Sequence, residues 1–575
     1  MARLSFVVCF VAACAASCTF ARVTATDTMT ANAPPTRFEI TSLPGHVNAD
    51  GTPAKLPSRQ FTGYIPAGTP PSGVGTMYFH YWLIESEGNP ATDPVLIWYN
   101  GGPGASSLFG LLEEFGPLRL NAESYDARYN ATGVPSLLPN KYRWTRSHSV
   151  VAIDSPPPMG LSFCSESGPA GNATSCGPWR DSTVAAANHA AHRAFFTEVF
   201  PELKSNPLYF TGESYAGIYV PLFADAMMQD PVPGLNFRGW AVGDGWTGCV
   251  PRAGRPADWC INLDNVGLFK YPNVYPGPFY DVEFFHGHSQ FSHELYDAIR
   301  GNPATGVAAG CSREELEGEV AMGATCAPLI AQMAEEVGEF FPYNLYNACP
   351  AGDMRRRLGQ GNGKQARARR RPFTGKHGIH RALHARRTAL ARHPALAAAA
   401  PSGNGISPGD GDSGLGSPCL GHAMSDWLAM AETKAAIGAP ADIAFINLDN
   451  GHGFNYTSDQ GFVGPIYERA LGLGLRVLVY EGDVDACGLQ TANVEDVFVP
   501  YFRDALKLNK TRRWRPWTTD GKARMGGYVI EWEGRAAQFV DVRGSGHLVP
   551  LNRPHSSYAL INAFTSGASL PELNP

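Results

Sequence analysis

Apolar residues follow two different rhythms along this 575-residue chain. Short runs rich in Val, Ile and aromatics occur at Val95–Tyr99, at Ser149–Ile153, and at residues 208–210, 240–242, 475–480 and 539–542. These runs have strand length and no polar alternation, which predicts strands covered on both faces. Between them lie longer stretches of helical period. From 181 to 200 Ala, Phe and Val recur every three and four residues, which predicts a helix that Pro201 stops. Strands alternating with helices predict an α/β fold, a mostly parallel central sheet flanked by helices. From Trp246 to about Phe445 the strand runs fade, while cysteines and short helical segments gather. The expected organisation is a core in two parts, 36–245 and 446–575, with a disulfide-braced cap, 246–445, inserted between them. Inside the cap, residues 354–418 are rich in Arg, Ala and Gly and nearly free of aromatics. They cannot bury enough apolar surface to offset the entropy of ordering, so a disordered loop that lumenal proteases could excise is expected.

Residues 1–25 carry Arg3, an apolar run from 4 to about 18, and small residues around Ala21 and Ala25. That is the pattern of a cleaved signal peptide, since a membrane anchor needs about 20 apolar residues. No later segment reads as a membrane span, and the C-terminal Ser-Leu-Pro-Glu-Leu-Asn-Pro is not a retention signal. The expected location is the secretory pathway, either secreted or in a vacuolar or lysosomal lumen. Cysteine use agrees with an oxidising compartment. Three of the 12 cysteines lie in the leader, which leaves nine. Close spacing favours Cys164 with Cys176, Cys249 with Cys260 and Cys311 with Cys326; Cys349 is left for Cys419 and Cys487 is unpaired. Sequons at Asn130, Asn172, Asn455 and Asn509 are candidate glycosylation sites.

At 44% apolar and 17% charged, the composition supports a large core and excludes disordered or fibrous classes. The net charge of −6 is unevenly spread. Between Arg355 and Arg392 lie 13 of the 46 Lys and Arg without one acid, so the remainder carries 33 basic against 52 acidic residues. A folded part so acidic excludes a nucleic-acid partner, which needs a basic face. No Cys or His cluster has metal-ligand spacing, and neither a metal nor any other cofactor is expected.

The chemistry gathers at strand ends. The run at 208–210 continues into Thr211-Gly212-Glu213-Ser214-Tyr215-Ala216-Gly217 and an apolar helix. Small residues around a Ser at a strand-to-helix turn make a nucleophile elbow; a Ser that merely caps the helix is the alternative. A serine needs a His to take its proton and a carboxylate to orient that His. The strand at 475–480 runs into Glu481-Gly482-Asp483-Val484-Asp485, and the strand at 539–542 runs into a Gly-rich loop with His547. Ser, acid and His in this order match an α/β-hydrolase. After Val95–Tyr99, Asn100-Gly101-Gly102-Pro103-Gly104-Ala105-Ser106-Ser107 has the glycines of an oxyanion loop and lacks the Gly-Lys-Ser/Thr ending of a phosphate-binding loop.

Asn-Gly-Gly-Pro-Gly-x-Ser-Ser, Gly-Glu-Ser-Tyr-Ala-Gly with Tyr219-Val220-Pro221, Gly-Asp-x-Asp and Gly-x-Gly-His-x-Val-Pro together resemble the serine carboxypeptidase family. Asp154-Ser155-Pro156, Gly160-Leu161-Ser162 and Gly243-Asp244-Gly245-Trp246 extend the resemblance. It implies an α/β-hydrolase that removes residues from peptides or proteins with a free C-terminus; a homodimer is compatible with it. Ser214 matches the nucleophile, His547 the base and Asp485, rather than Asp483, the orienting acid. The backbone N–H groups of Gly102 and Tyr215 match the oxyanion hole. Trp98, Asn100, Gly101, Glu114 and Glu213 match the positions that receive the substrate carboxylate. Two neighbouring glutamates facing a carboxylate must share a proton, which predicts an acidic optimum. The plain alternative for Glu114 is a solvated helix residue before Gly116-Pro117. The chain departs from the family pattern at Ala105 for Cys, Asp244 for Asn and Ile218 for His, and Cys487 two residues after Asp485 raises the question of sensitivity to mercurials. Rival readings are an acyltransferase on the same scaffold and a non-catalytic partner that stabilises other lumenal enzymes.

Overall fold

The buried apolar runs pair into a single sheet in the computed structural model, which describes residues 34–248, 278–318, 320–338, 340–341, 343–346, 422–448, 453–486 and 497–572. Its strands are β1 (Phe38–Ile40), β2 (Gln60–Pro66), β3 (Met77–Ile84), β4 (Val95–Tyr99), β5 (Ser149–Ile153), β6 (Leu208–Glu213), β7 (Phe237–Gly243), β8 (Arg476–Gly482), β9 (Lys510–Thr518), β10 (Met525–Trp532) and β11 (Ala537–Val542). They lie in the order β1-β2-β3-β5-β4-β6-β7-β8-β11-β10-β9, and Phe163–Cys164 pairs with β3. From β5 to β11 every pairing is parallel. The edges β1–β3 and β9–β10 are antiparallel and were not among the expected strands.

Alternate residues of the parallel strands enter opposite layers. Ile97, Phe210, Val477 and Val479 face one apolar layer with Val184 and Ala191 of α1 (Asp181–Ala194) and Val220 and Phe223 of α2 (Ala216–Gln229). Trp98, Tyr209, Leu478 and Val540 face the other. The expected helix from 181 thus forms, widens over Phe195–Val199 and ends at Pro201.

Because the central strands are parallel, their C-terminal ends share one edge of the sheet, where ligands of open α/β folds bind. The loops after β4, β6, β7, β8 and β11 meet there. A third apolar cluster unites α3 (Phe279–Gly287), α4 (His293–Arg300) and α5 (Cys326–Val337) with Val484 and Ala486 of the loop after β8. Helix α6 (Pro554–Ser566) buries Leu560, Ile561 and Phe564 in the second layer and ends at Gly567, in the left-handed conformation. The expected bridges Cys164–Cys176 and Cys311–Cys326 are present. The expected signal peptide at residues 1–25, Cys249, Cys260, Cys349, Cys419, Cys487 and the basic segment 354–418 lie outside the described residues. Among the described residues no helix is long and apolar enough to cross a membrane.

Candidate active site

Ser214 stands between β6 and α2 with φ +64°, a left-handed conformation that a non-glycine residue adopts only when its surroundings impose it. They do so here. Ser214 N donates to Gly243 O at 3.0 Å, and Trp246 N donates to Ser214 O at 2.8 Å. A Cβ on Gly217 would lie 2.2 Å from Trp246 O, so only glycine permits this approach. On the other side Gly101 touches the elbow: its Cβ would lie 2.3 Å from Tyr215 N and 2.8 Å from Ser214 Cβ. The Gly101-Gly102 backbone is therefore laid against the Tyr215 amide, and Gly102 takes φ +109°.

Asp485 and His547 meet across the ends of β8 and β11. His547 Nδ1 and Asp485 Oδ2 are 2.8 Å apart, and both residues are buried. Asp483 instead accepts the backbone N–H of Gly544. Gly482 brings the loops together, since a Cβ there would lie 2.3 Å from Gly546 O. Asp244, on the loop that also bonds Ser214, is fully buried at φ +45° and accepts from Gly482 N at 2.9 Å. Among the described residues Asp244, Asp485 and His547 place ligand-type atoms within 4.8 Å of one another. Of this trio, His547 and Asp485 meet through that Nδ1 contact. Burial pushes the carboxyls of Asp244 and its neighbour Glu481 well above the usual range; the charges of Glu481 and Asp485 add to the rise at Asp244, while at Glu481 the charge of Asp485 adds and hydrogen bonding with Asp244 restrains it.

A second group of carboxyls lies beside the Gly-rich loop. Asn100 Oδ1 accepts from Trp98 Nε1 at 2.8 Å and from Gly110 N at 3.0 Å, which turns its amide nitrogen to Glu213 Oε1 at 2.9 Å. Trp98 is fully buried with its N–H committed to Asn100, so it touches the site through that amide. Glu114 is not the solvated residue of the plain alternative: it is fully buried. Burial pushes its carboxyl up to about 7, and hydrogen bonding with Glu213, the charge on His547 and the Asn100 amide restrain the rise. Glu113 beside it is raised well above the usual range by burial and by Glu114.

Three supports have no role in the sequence reading, although Asp154 is named within a matching motif. Arg119 is 1% exposed, donates to Glu114 O at 3.1 Å and is lowered to about 10 by burial. Its signal was an arginine inside the apolar Leu118-Arg119-Leu120. Asp181, at the start of α1, accepts from the hydroxyls of Tyr215 and Tyr456 and from the amides of Asp459 and Gln460 at 2.6–2.8 Å. Asp154 accepts from Ser106 Oγ at 2.5 Å, Ser107 N at 3.0 Å and Leu161 N at 3.0 Å, and lies 2.9 Å from His80 Nδ1. It thereby ties the Gly-rich loop to β3.

The family model for serine carboxypeptidases matches residues 50–567. Serine carboxypeptidase 1 of Hordeum vulgare is 26% identical over 547 residues, 94% of each chain. The lysosomal protective protein of Mus musculus is 27% identical over 556 residues, covering 92% of this chain and 94% of its own. Among solved structures, the prohormone-processing carboxypeptidase Kex1(Δ)p of Saccharomyces cerevisiae superposes with a TM-score of 0.56 at 16% identity, covering 92% of this chain and 96% of its own, a likeness of fold. With an α/β-hydrolase sheet, a strained serine elbow and a buried Asp–His couple at one edge, and a family match over almost its whole length, the chain belongs to the serine carboxypeptidase family.

Proposed function

We propose that the protein hydrolyses the C-terminal peptide bond of peptides and proteins through an acyl-enzyme on Ser214, and that it does so best at acidic pH. Ser214 Oγ attacks the last peptide carbonyl and passes its proton to His547, whose cation Asp485 stabilises. The oxyanion formed is met by the N–H groups of Gly102 and Tyr215. His547 then protonates the leaving nitrogen, the C–N bond breaks and the terminal amino acid departs. Water, deprotonated by His547, attacks the ester carbonyl and Ser214 Oγ leaves with its proton restored.

The observation that carries this reading is the buried Asn100–Glu213–Glu114 group beside the Ser214 elbow. A carboxyl raised to about 7 is neutral in acid and can donate a hydrogen bond to a substrate carboxylate. A hydrolase for substrates without a terminal carboxylate has no use for this arrangement. Trp98 and Gly101 hold the subsite through Asn100 and through contact with Tyr215. The exposed Asn130, Asn172, Asn455 and Asn509 are proposed glycan sites, in keeping with a lumenal or secreted protein.

The test compares an N-blocked dipeptide with its C-terminal amide at about pH 5, using wild type and Ser214→Ala. Release of the last amino acid from the free acid, much slower cleavage of the amide, and an inactive variant are expected. Equal rates on acid and amide would refute carboxylate recognition. Acyl transfer to an added alcohol without net hydrolysis would point to the acyltransferase instead.

A further inference from the structure

Between α5 and the basic segment, the chain passes directly over the loops that hold Asp485 and His547. His547 N donates to Tyr343 O at 2.8 Å, and Leu345 N donates to Val484 O at 3.0 Å. A Cβ on Gly546 would lie 2.1 Å from Tyr343 O, so the crossing needs glycine there. The Leu345 side chain joins Val484 and Ala486 in the apolar cluster beneath α3–α5. On this seat the half-buried Tyr343 ring stacks on the His547 imidazole, with centroids 4.9 Å apart and planes 25° from parallel. The buried Phe341 ring backs Tyr343 edge-on at 5.9 Å.

We propose that Tyr343 is a positioning residue for the acid–base step, its ring face holding the His547 imidazole in the plane set by Asp485 and favouring the imidazolium that forms as Ser214 loses its proton. The inference rests on the triad reading above. The hydrogen bond at Nδ1 fixes one edge of the imidazole, and a ring stacked on its face fixes the plane. The negative face of an aromatic ring attracts a cation more than a neutral imidazole, so the contact strengthens as the transition state is approached. Asp485 and Asp244 approach His547 from strand ends, Glu481 interacts with Asp244, and the Glu114 carboxyl feels the charge on His547. Carboxyls thus surround the imidazole edge while Tyr343 covers a face. Because Tyr343 belongs to the segment between the two parts of the core, that segment orders the catalytic base.

The experiment measures kcat, KM and the pH profile of kcat/KM for Tyr343→Leu and Tyr343→Phe, with His547→Ala as reference. Without the ring the imidazolium is less favoured, so the acid limb of the Leu variant should move to lower pH by about 0.5 to 1, with kcat down about 3- to 10-fold and KM unchanged. Tyr343→Phe, which keeps the ring, should recover most of the loss and return the limb. If the Leu variant does not fold, a ring-fluorinated phenylalanine at 343 keeps the shape, weakens the face and should shift the limb alone. A loss of kcat with an unmoved limb, or a change confined to KM, overturns the inference. Full hydrolysis by His547→Ala would overturn the triad reading instead, a distinguishable result.

Discussion

On the proposed mechanism Glu114 serves only while it carries a proton. With its carboxyl held up near 7 by burial, it is neutral at pH 5 and increasingly ionised above 7, where its charge repels the substrate carboxylate. KM for a peptide acid should therefore stay level in acid and rise about tenfold per pH unit well above pH 7, while kcat changes less. Glu114→Gln, neutral at every pH, should flatten that rise; a wild-type KM constant from pH 5 to 8 sinks the idea. Ser214 and His547 could be read from sequence because turn geometry demands small neighbours, and those neighbours are visible as letters. Glu114 was ambiguous for the opposite reason. Its proposed role depends on complete burial beside Glu213 and Asn100, which the helical pattern around it does not encode. Asp244 was visible as a departure from the family pattern, yet its contact with Gly482 needs β7 and β8, far apart in sequence, in register before it exists.

Elements carry the site by their ends, and Asp154 is where one end is fastened. The carboxylate at the end of β5 binds Ser106 and Ser107 of the Gly-rich loop, Leu161 and His80. Asp154→Ala strands buried donors, each at about 1–3 kcal/mol, and frees the loop that presents Gly102. Urea unfolding should show a loss of several kcal/mol, and kcat should fall about 10²- to 10³-fold, as for a misplaced oxyanion donor, with KM little changed. Gly160→Ala, whose Cβ would lie 1.9 Å from the Asp154 carboxyl carbon at φ +60°, should reproduce the loss of stability. If either variant keeps wild-type kcat, Asp154 does not position the oxyanion loop. The parallel strands were legible because burial on both faces makes them continuous apolar runs. The edges were not. β9 reads Lys-Thr-Arg-Arg-Trp-Arg-Pro-Trp-Thr, the charged sequence of an exposed edge, and β2 contains Gly63 and Pro66, which signal turns. Gly63 is required where its Cβ would lie 2.4 Å from Thr36 O, a contact with the chain leading into β1 that no local pattern reveals.

Across the whole molecule, burial sets a pH window for stability. Glu113, Asp244 and Glu481 are held well above the usual carboxyl range and Glu114 up to about 7, all by burial first. Between the unfolded values near 4 and these native values the folded chain holds protons that the unfolded chain has lost. Their contribution is complete below about pH 4 and drains away as pH rises through each native value, at about 1.4 kcal/mol per group and pH unit. His148 and His192 act in the opposite sense. Burial lowers them to about 4 and about 3, so their contribution is complete above 6.5 and is lost as pH falls through those values. From just above pH 4 these four carboxyls lose more than the two histidines gain, which places the maximum at about pH 4 to 5, with loss on both sides. A melting scan from pH 3 to 9 should show a peak there and a steady fall above pH 6. Glu481→Gln, which cannot ionise beside Asp244, should make that fall shallower without moving the acid side. A Tm that keeps rising to pH 8 would mean that these carboxyls ionise without cost, and the proton-sharing assigned to the site would fall with it. On the proposed mechanism the same burial that makes Glu114 a donor in acid would also give the fold an acidic optimum, so the pH of best recognition and the pH of greatest stability would both be set by one set of buried carboxyls.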